Sequence, residues 1–214
     1  MNRQRTVWGT ACGMIAGVTM ATWSLSADAT EEKHLQADYT ASTATELILD
    51  VKVGTIYFER TQGDVISVTA RAYQDDSSFF KKKGRVSDAE LVAHQNGNEL
   101  KLKIKNDDDI KVDWYIKVPQ IQSLDTDLGV GSIDGELWTS SMVIDVGVGA
   151  VNLELFGDYG TIKTDVGVGD SKIKGTGQIE NNRFLMTAKS RASSTGAALI
   201  SISTGVGDIN LTID

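Results

Sequence analysis

Asp145-Val-Gly-Val-Gly-Ala-Val-Asn-Leu153 decides the fold of this chain, because the same phrase keeps returning. It stands earlier as Asp127-Leu-Gly-Val-Gly-Ser-Ile-Asp-Gly135 and later as Asp165-Val-Gly-Val-Gly-Asp-Ser-Lys-Ile173. A weaker copy reads Ser203-Thr-Gly-Val-Gly-Asp-Ile-Asn-Leu211, and a fainter one Asp50-Val-Lys-Val-Gly-Thr-Ile-Tyr-Phe58. In chain order the starts at 50, 127, 145, 165 and 203 are 77, 18, 20 and 38 residues apart. The two long gaps are close to four and two units of about 19 residues, the fixed self-similarity of a stacked repeat.

Side chains of a strand alternate between its two faces. Val146 and Val148 share one parity, whereas Val151, Leu153 and Leu155 have the other, so the face switches at Gly149-Ala150. Leu128 and Val130 give way in the same manner to Ile133 and Leu137 across Gly131-Ser132, and Val51 and Val53 to Ile56 and Phe58 across Gly54-Thr55. Thr204 and Val206 give way to Ile209, Leu211 and Ile213 across Gly207-Asp208, and Gly169 holds the equivalent place in the copy at Asp165. Each unit is read as a short strand, a two-residue corner led by glycine, and a second short strand. A tight corner often needs a positive φ, which glycine adopts at no steric cost. Two geometries satisfy this pattern. Gly-X can be a II′ hairpin turn in an antiparallel meander, or the corner of a coil whose rungs stack in parallel. Near-identical rungs that cannot bury an apolar side alone favour the coil. The expected fold is all-β: a small single-domain β-solenoid or β-roll of Gly-Val-Gly rungs of about 19 residues, with a less regular N-terminal half.

Upstream of the repeats the pattern loosens. Residues 46–60 make the first strand pair, 61–64 a turn, and 65–72 a strand. Residues 90–94 and 99–105 flank Asn96-Gly97, a hairpin signal. Residues 106–109 make a turn, and the strand 112–118 stops at Pro119, the only proline, as expected of a residue that cannot donate to a ladder. Asp88 to Ala93 has the makings of a helical turn. Residues 181–196 replace much of the apolar pattern by Asn, Ser and Ala, so the rung due near residue 184 is read as irregular or as a surface excursion. No stretch resembles an interdomain linker.

Residues 1–29 read as a secretory signal: Arg3 and Arg5, a mostly apolar stretch from Val7 to Trp23, and an Ala27-Asp-Ala29 cleavage site. An uncleaved membrane anchor is the alternative, disfavoured by the short, glycine-containing run. Residues 30–45 read as a flexible lead and 46–214 as the folded domain. Cys12 is the only cysteine, so the exported chain would hold no disulfide and depend on strand stacking. The formal charge is −8, and it becomes −9 once Arg3, Arg5 and Asp28 are removed. Such a chain is a poor candidate for nucleic acid or anionic lipid. No run after residue 30 is long enough for a transmembrane helix, and the segments are short for an outer-membrane barrel.

The order of these features resembles the bacterial putative-adhesin family, exported domains of unknown function with a β-solenoid-like fold. The likeness rests on Trp114-Tyr-Ile-Lys-Val-Pro119, on Leu124-Asp-Thr-Asp-Leu-Gly-Val-Gly-Ser-Ile133 and on the later Gly-Val-Gly steps, and it spans residues 46–214. These motifs are structural, so the resemblance implies a fold and an adhesin-like role, and it supplies no catalytic residues. Lys81-Lys-Lys83 has no counterpart in that pattern.

Candidate sites are few. Asp127, Asp145 and Asp165 share one repeat position, and stacked rungs would set them about 5 Å apart. Like charges at that spacing repel by roughly 1 kcal/mol per pair in water, so a Ca²⁺ column is one reading and hydrated, outward aspartates the favoured one. The calcium-binding nonapeptide repeat is absent, because Gly169-Asp170 and Gly207-Asp208 place the acid one residue early. Asp107, Asp108 and Asp109 crowd a turn without EF-hand spacing. Phe79-Phe80 beside Lys81, Lys82, Lys83 and Arg85 would contact an anionic polymer or lipid headgroups or, on the favoured reading, cap the coil's open end. His34 and His94 are isolated from other ligand types, and no nucleophile motif is present. Trp114 and Trp138 are expected to pack, with glycan stacking as an unsupported alternative. The expected function is non-catalytic: an exported cell-envelope protein, in the periplasm or at the surface of a bacterium, binding an envelope protein, a glycan or a second copy of itself. An envelope-stress sensing module is the second reading. A polysaccharide-acting β-helix enzyme is the third, disfavoured because the acids sit in repeats and not in a mixed cluster.

Overall fold

The computed structural model describes residues 31–74 and 85–214. Thirteen strands and one short 3-10 turn make up these residues: β1 (Glu32–Thr40), β2 (Glu46–Arg60), β3 (Val65–Tyr73), the 3-10 turn (Val86–Asp88), β4 (Glu90–Asn96), β5 (Glu99–Lys105), β6 (Lys111–Val118), β7 (Ser123–Trp138), β8 (Ser141–Phe156), β9 (Thr161–Val168), β10 (Ser171–Gly175), β11 (Gln178–Phe184), β12 (Thr187–Ser193) and β13 (Leu199–Ile213). They join one sheet that does not close into a barrel, so the fold is single-domain and all-β. The sequence pattern is enough to explain the class. Alternating branched and polar residues bounded by glycine favour strands.

The repeat phrase lies inside single long strands. β2, β7, β8 and β13 each run through their corner glycine without leaving the ladder, while β9 and β10 divide the same unit at Gly169-Asp170. Each unit thus has a first arm before the corner and a second arm after it. Leu124, Thr126 and Leu128 are buried on the first arm of β7, and Ile133 and Leu137 on the second. Met142, Ile144 and Val146, then Val151, Leu153 and Leu155, repeat this on β8. Both rows belong to one continuous core. The parity switch therefore folds the sheet so that its two arms share one apolar interior.

The second valine of each phrase departs from the expected pattern. Val146 and Leu128 are buried, but Val130, Val148, Val168 and Val206 are 44–48% exposed. Parity along the strand had grouped Val148 with Val146. The corner begins one residue early and carries the valine out along the folded edge.

The arms pair in parallel and in register. Leu49, Thr126 and Ile144 lie side by side, and Ile144 pairs with Ile202, which pairs with Thr164. The order across the sheet is β2-β7-β8-β13-β9, so the copies do not stack in chain order. β13, last in sequence, lies between β8 and β9. Copies this similar fit equally well against each other's sides, so local pattern cannot rank them. The 23 residues between β10 and β13, most of them in the β11–β12 hairpin, let the chain cross back to that slot.

Why the corner must be glycine is visible in the stack. Gly149 has φ +154°, and a Cβ on it would run into the carbonyl oxygen of Gly131. Gly131 stands in the same relation to Gly54, and Gly207 to Gly149. Positive φ and backbone-on-backbone contact both exclude a side chain.

The ends differ from the centre. Residues 32–40, expected as a flexible lead, form β1 and pair antiparallel with β3 along its whole length. Backbone bonds to a free edge need no apolar pattern, and an edge strand is commonly polar. Leu35 is its one buried large aliphatic side chain. β3 in turn pairs antiparallel with β6, and β6 pairs in parallel with the second arm of β2. β4 and β5 form the hairpin expected around Asn96-Gly97, with Gly97 at φ 60°. At the other end, β11 and β12 form an antiparallel hairpin, and β12 pairs with β9 where an irregular rung had been expected. The free edge of β10 is met by Asn181. The amide nitrogen of Ile173 donates to its Oδ1 at 2.9 Å, and its Nδ2 donates to the Ile173 carbonyl at 3.2 Å.

Candidate functional site

Two outward faces result, one from the first arms and one from the second. On the first-arm face the outward residues form two rows across the sheet. One row is Lys101, Ile48, Asp125, Val143, Ser201, Lys163, Arg191 and Glu180, in the order β5-β2-β7-β8-β13-β9-β12-β11. The next is Lys103, Asp50, Asp127, Asp145, Ser203, Asp165, Lys189 and Asn182. Charge is divided along this face. Asp50, Asp125, Asp127 and Asp145 gather on β2, β7 and β8, and Lys163, Lys189 and Arg191 on β9 and β12. The serines of β13 lie between. Over the basic part are two shallow concavities of about 370 and 500 Å³, which share Lys163, Arg191 and Ser201.

The aspartate column is therefore split. Asp127 lies beside Asp145 and also beside Asp50, which the repeat reading had not placed in the column. Desolvation first, then Asp125, Asp145 and Asp50, push the Asp127 carboxyl above its ordinary range. Asp165 does not follow Asp145. Ser203 stands between them and donates to Asp145, while Lys189 bonds Asp165 at 2.6 Å. A continuous carboxylate column for Ca²⁺ needs Asp165 next to Asp145, and the insertion of β13 removes that neighbour. Among the described residues no group of three or more His, Cys, Asp or Glu is placed to hold a metal ion.

The second-arm face carries a row that crosses eight strands and ends at Lys172 of β10, which pairs with Asn210. In register it runs Gln36, Thr69, Tyr115, Tyr57, Asp134, Asn152, Asn210 and Lys172. Tyr57 and Tyr115 are 42% and 53% exposed, with ring centroids 6.1 Å apart and planes inclined at 47°. Beside them the Asn152 amide donates to Asp134 at 2.8 Å, and Asn210 to Asn152 at 3.0 Å. Lys117 and Glu59 pair at 3.0 Å one row further along. The result is an open strip with an aromatic platform at one end and a hydrogen-bonded amide ladder at the other.

The remaining sequence candidates have structural employment or lie elsewhere. Lys52 fills the acidic turn, with Nζ 2.7 Å from both Asp107 and Asp108, which raises its own pKa and lowers that of Asp108. Trp114 is buried. Trp138 donates to the Thr61 carbonyl at 2.8 Å and stacks under the Arg60 guanidinium at 4.7 Å. His34 lies 3.9 Å from Glu32, and His94 is exposed on β4. The signal segment 1–29, Cys12 and the Phe79 to Lys83 stretch lie outside the described residues.

No family model matches the chain, and no curated protein matches it. Among solved structures the chain is similar to a putative cell adhesion protein from Clostridium sporogenes, at 12% identity and a TM-score of 0.47, over 86% of this chain and 100% of that one. It is similar also to a putative adhesin from Parabacteroides merdae (10% identity, TM-score 0.29, 85% and 78% covered) and one from Bacteroides fragilis (15%, 0.24, 84% and 97%). At such identities and scores none of these likenesses assigns the chain to a family.

Sequence reading missed the tyrosine row and the division of charge. A signal for the first was present. Ile56-Tyr57-Phe58 and Trp114-Tyr115-Ile116 both put tyrosine at the outward parity between buried neighbours. That β2 and β6 pair Tyr57 with Tyr115 is a tertiary fact.

Proposed function

We propose that this chain is an exported, non-catalytic cell-envelope protein of bacterial type that binds glycans, adhesin-fashion, through the outward face of its second arms. The observation that supports this reading is the exposed Tyr57–Tyr115 pair set in register with Gln36, Thr69, Asp134, Asn152 and Asn210. A sugar ring has an apolar C–H face and a rim of hydroxyls. Aromatic rings take the former, and amides and carboxylates take the latter. An open strip of this kind suits an extended chain of sugars better than a single small molecule, which calls for a concave pocket. Export rests on the segment 1–29 read from the sequence.

A glycan array probed with the purified chain tests the proposal. Binding to one or more polymeric glycans is expected, falling at least about tenfold, or 1.4 kcal/mol, in Tyr57→Ala/Tyr115→Ala. The unchanged far-ultraviolet spectrum of that variant would show that the sheet survives. An array without bound glycan, or binding that ignores both tyrosines, defeats the reading.

A further inference from the structure

We propose that the outward face of the first arms is a self-complementary interface, and that two copies of this chain pair through it about a two-fold axis running along the strands between β8 and β13. The inference goes beyond the glycan reading and uses the opposite face.

The argument begins with the order of charges. Across the face the blocks run basic on β5 (Lys101, Lys103), acidic on β2, β7 and β8, neutral on β13, mixed on β9 (Lys163, Asp165), basic on β12 (Lys189, Arg191), and acidic on β11 (Glu180). A two-fold axis between β8 and β13 lays β7 over the partner's β9, β2 over its β12 and β5 over its β11. Because such an axis keeps position along the strand, each row meets its own row. Asp125 then faces a partner lysine at position 163, Asp50 one at 189, and Lys101 a glutamate at 180. Asp145 faces a serine at 203. The one like pair, Asp127 with the carboxylate at 165, involves a group already held by Lys189. Twofold symmetry makes every favourable contact twice, as an isologous interface requires.

The centre and the size of the face agree with this. Next to the proposed axis lie Val143 and Leu199, 47% and 64% exposed. Two copies would bring four such side chains together, an apolar centre inside a charged rim. Eight strands spaced about 4.8 Å, with arms about 20 Å long, span a face of roughly 34 by 20 Å. That is close to the roughly 800 Å² per partner of a standard interface. Among the described residues, Asp50, Asp125 and Lys163 have no ion-pair partner within the chain, and the proposed register sets each against an opposite charge of the second copy. Since the two outward faces lie on opposite sides of the core, a pair joined this way would present its two tyrosine rows outward, away from each other.

Sedimentation equilibrium of the purified chain reads the proposal directly. A dimer is expected at about 100 µM, weakening as salt rises. The acidic-side variant Asp50→Lys/Asp125→Lys and the basic-side variant Lys163→Glu/Lys189→Glu each turn the Asp50–Lys189 and Asp125–Lys163 contacts into like pairs, and each is expected to sediment as a folded monomer. Mixed one to one, they are expected to recover the dimer. All four positions are solvent-exposed on strands, so circular dichroism should show both variants folded, and Leu199→Lys provides a separate break at the apolar centre. A monomeric wild type, variants that dimerise alone, or a mixture that stays monomeric would each overturn the interface. None of these results depends on a glycan, so this proposal and the functional one can fail separately.

Discussion

The central arms and the two ends of this sheet are built by different rules. In the centre, β2, β7, β8 and β13 repeat one phrase and contact each other backbone to backbone at the corner glycines. At the ends the chain turns antiparallel. There β1, β3 and β6 finish one side, and the β11–β12 hairpin finishes the other. The end devices are individual: Lys33 donates to the carbonyls of Ser87 and Ala89 at 2.7 and 2.8 Å, and Asn181 stands in for a missing strand beside Ile173. A stack of like units must stop somewhere, and an uncovered edge invites a further strand. The repeat explains the middle of the protein, and the departures from it explain why the stack is finite.

The largest test of this contrast sets a central corner against a terminal turn. Gly149→Val places a branched side chain on the Gly131 carbonyl at a φ of +154°. A loss of roughly 3–5 kcal/mol is expected, enough to unfold many domains of this size. Gly63→Ala, in the turn between β2 and β3, meets no atom within 4 Å and strains only its φ of +107°, so about 1 kcal/mol is expected. Urea midpoints for the two variants compare them. Similar losses would show that the corner is not a backbone contact.

A second comparison uses one inward row. Thr126 and Thr164 occupy the same row, both buried. In the centre the Thr126 hydroxyl has no hydrogen-bond partner among the described residues. At the end Thr164 Oγ1 bonds Ser171 Oγ at 2.5 Å and accepts from the Ser190 amide at 3.1 Å. Thr126→Val is expected to stabilise by about 1 kcal/mol, and Thr164→Val to destabilise by about 1–2 kcal/mol because it leaves bonded groups alone. Changes of the same sign in thermal unfolding would break the distinction.

The smallest expected effect separates two aspartates of one outward row. The folded-state pKa of Asp127 is raised, so its ionisation opposes folding. Its contribution is most favourable below the unfolded value, near 3.9, and is lost as pH rises through the folded value. Asp127→Asn should therefore gain a few tenths of a kcal/mol at pH 7 and nothing near pH 3, the exposure of the group keeping the gain small. Asp165→Asn loses an exposed ion pair with Lys189 and should cost less than about 0.5 kcal/mol at pH 7. An Asp127→Asn variant less stable than the parent at pH 7, or one that gains as much near pH 3 as at pH 7, would contradict the cause assigned to the Asp127 shift.

Much of the centre could be read in advance. The position of each corner glycine, the parity switch across it and the hairpin at Asn96-Gly97 follow from spacing and from the conformations that glycine permits. Val148 could not be read, because alternation assigns it to the face of Val146 and only the early start of the bend exposes it. β1 could not be read either, since its polar residues carry a strand whose reason is the free edge of β3. The same limit applies to the candidate faces. Asp127 and Asp145 were found as a pair by repeat position, but Asp50 joins them and Asp165 leaves them because β13 enters between β8 and β9.

Sequence alone determined that this protein is a stack of glycine-cornered β units, because hydrophobic parity and backbone freedom act over a few residues and leave their mark there. Tertiary structure decided which unit lies beside which, and so which charges and rings share a face. Nearly identical units have nearly identical pairing energies. Their order is settled by the connections that link them and by the end strands that close the stack.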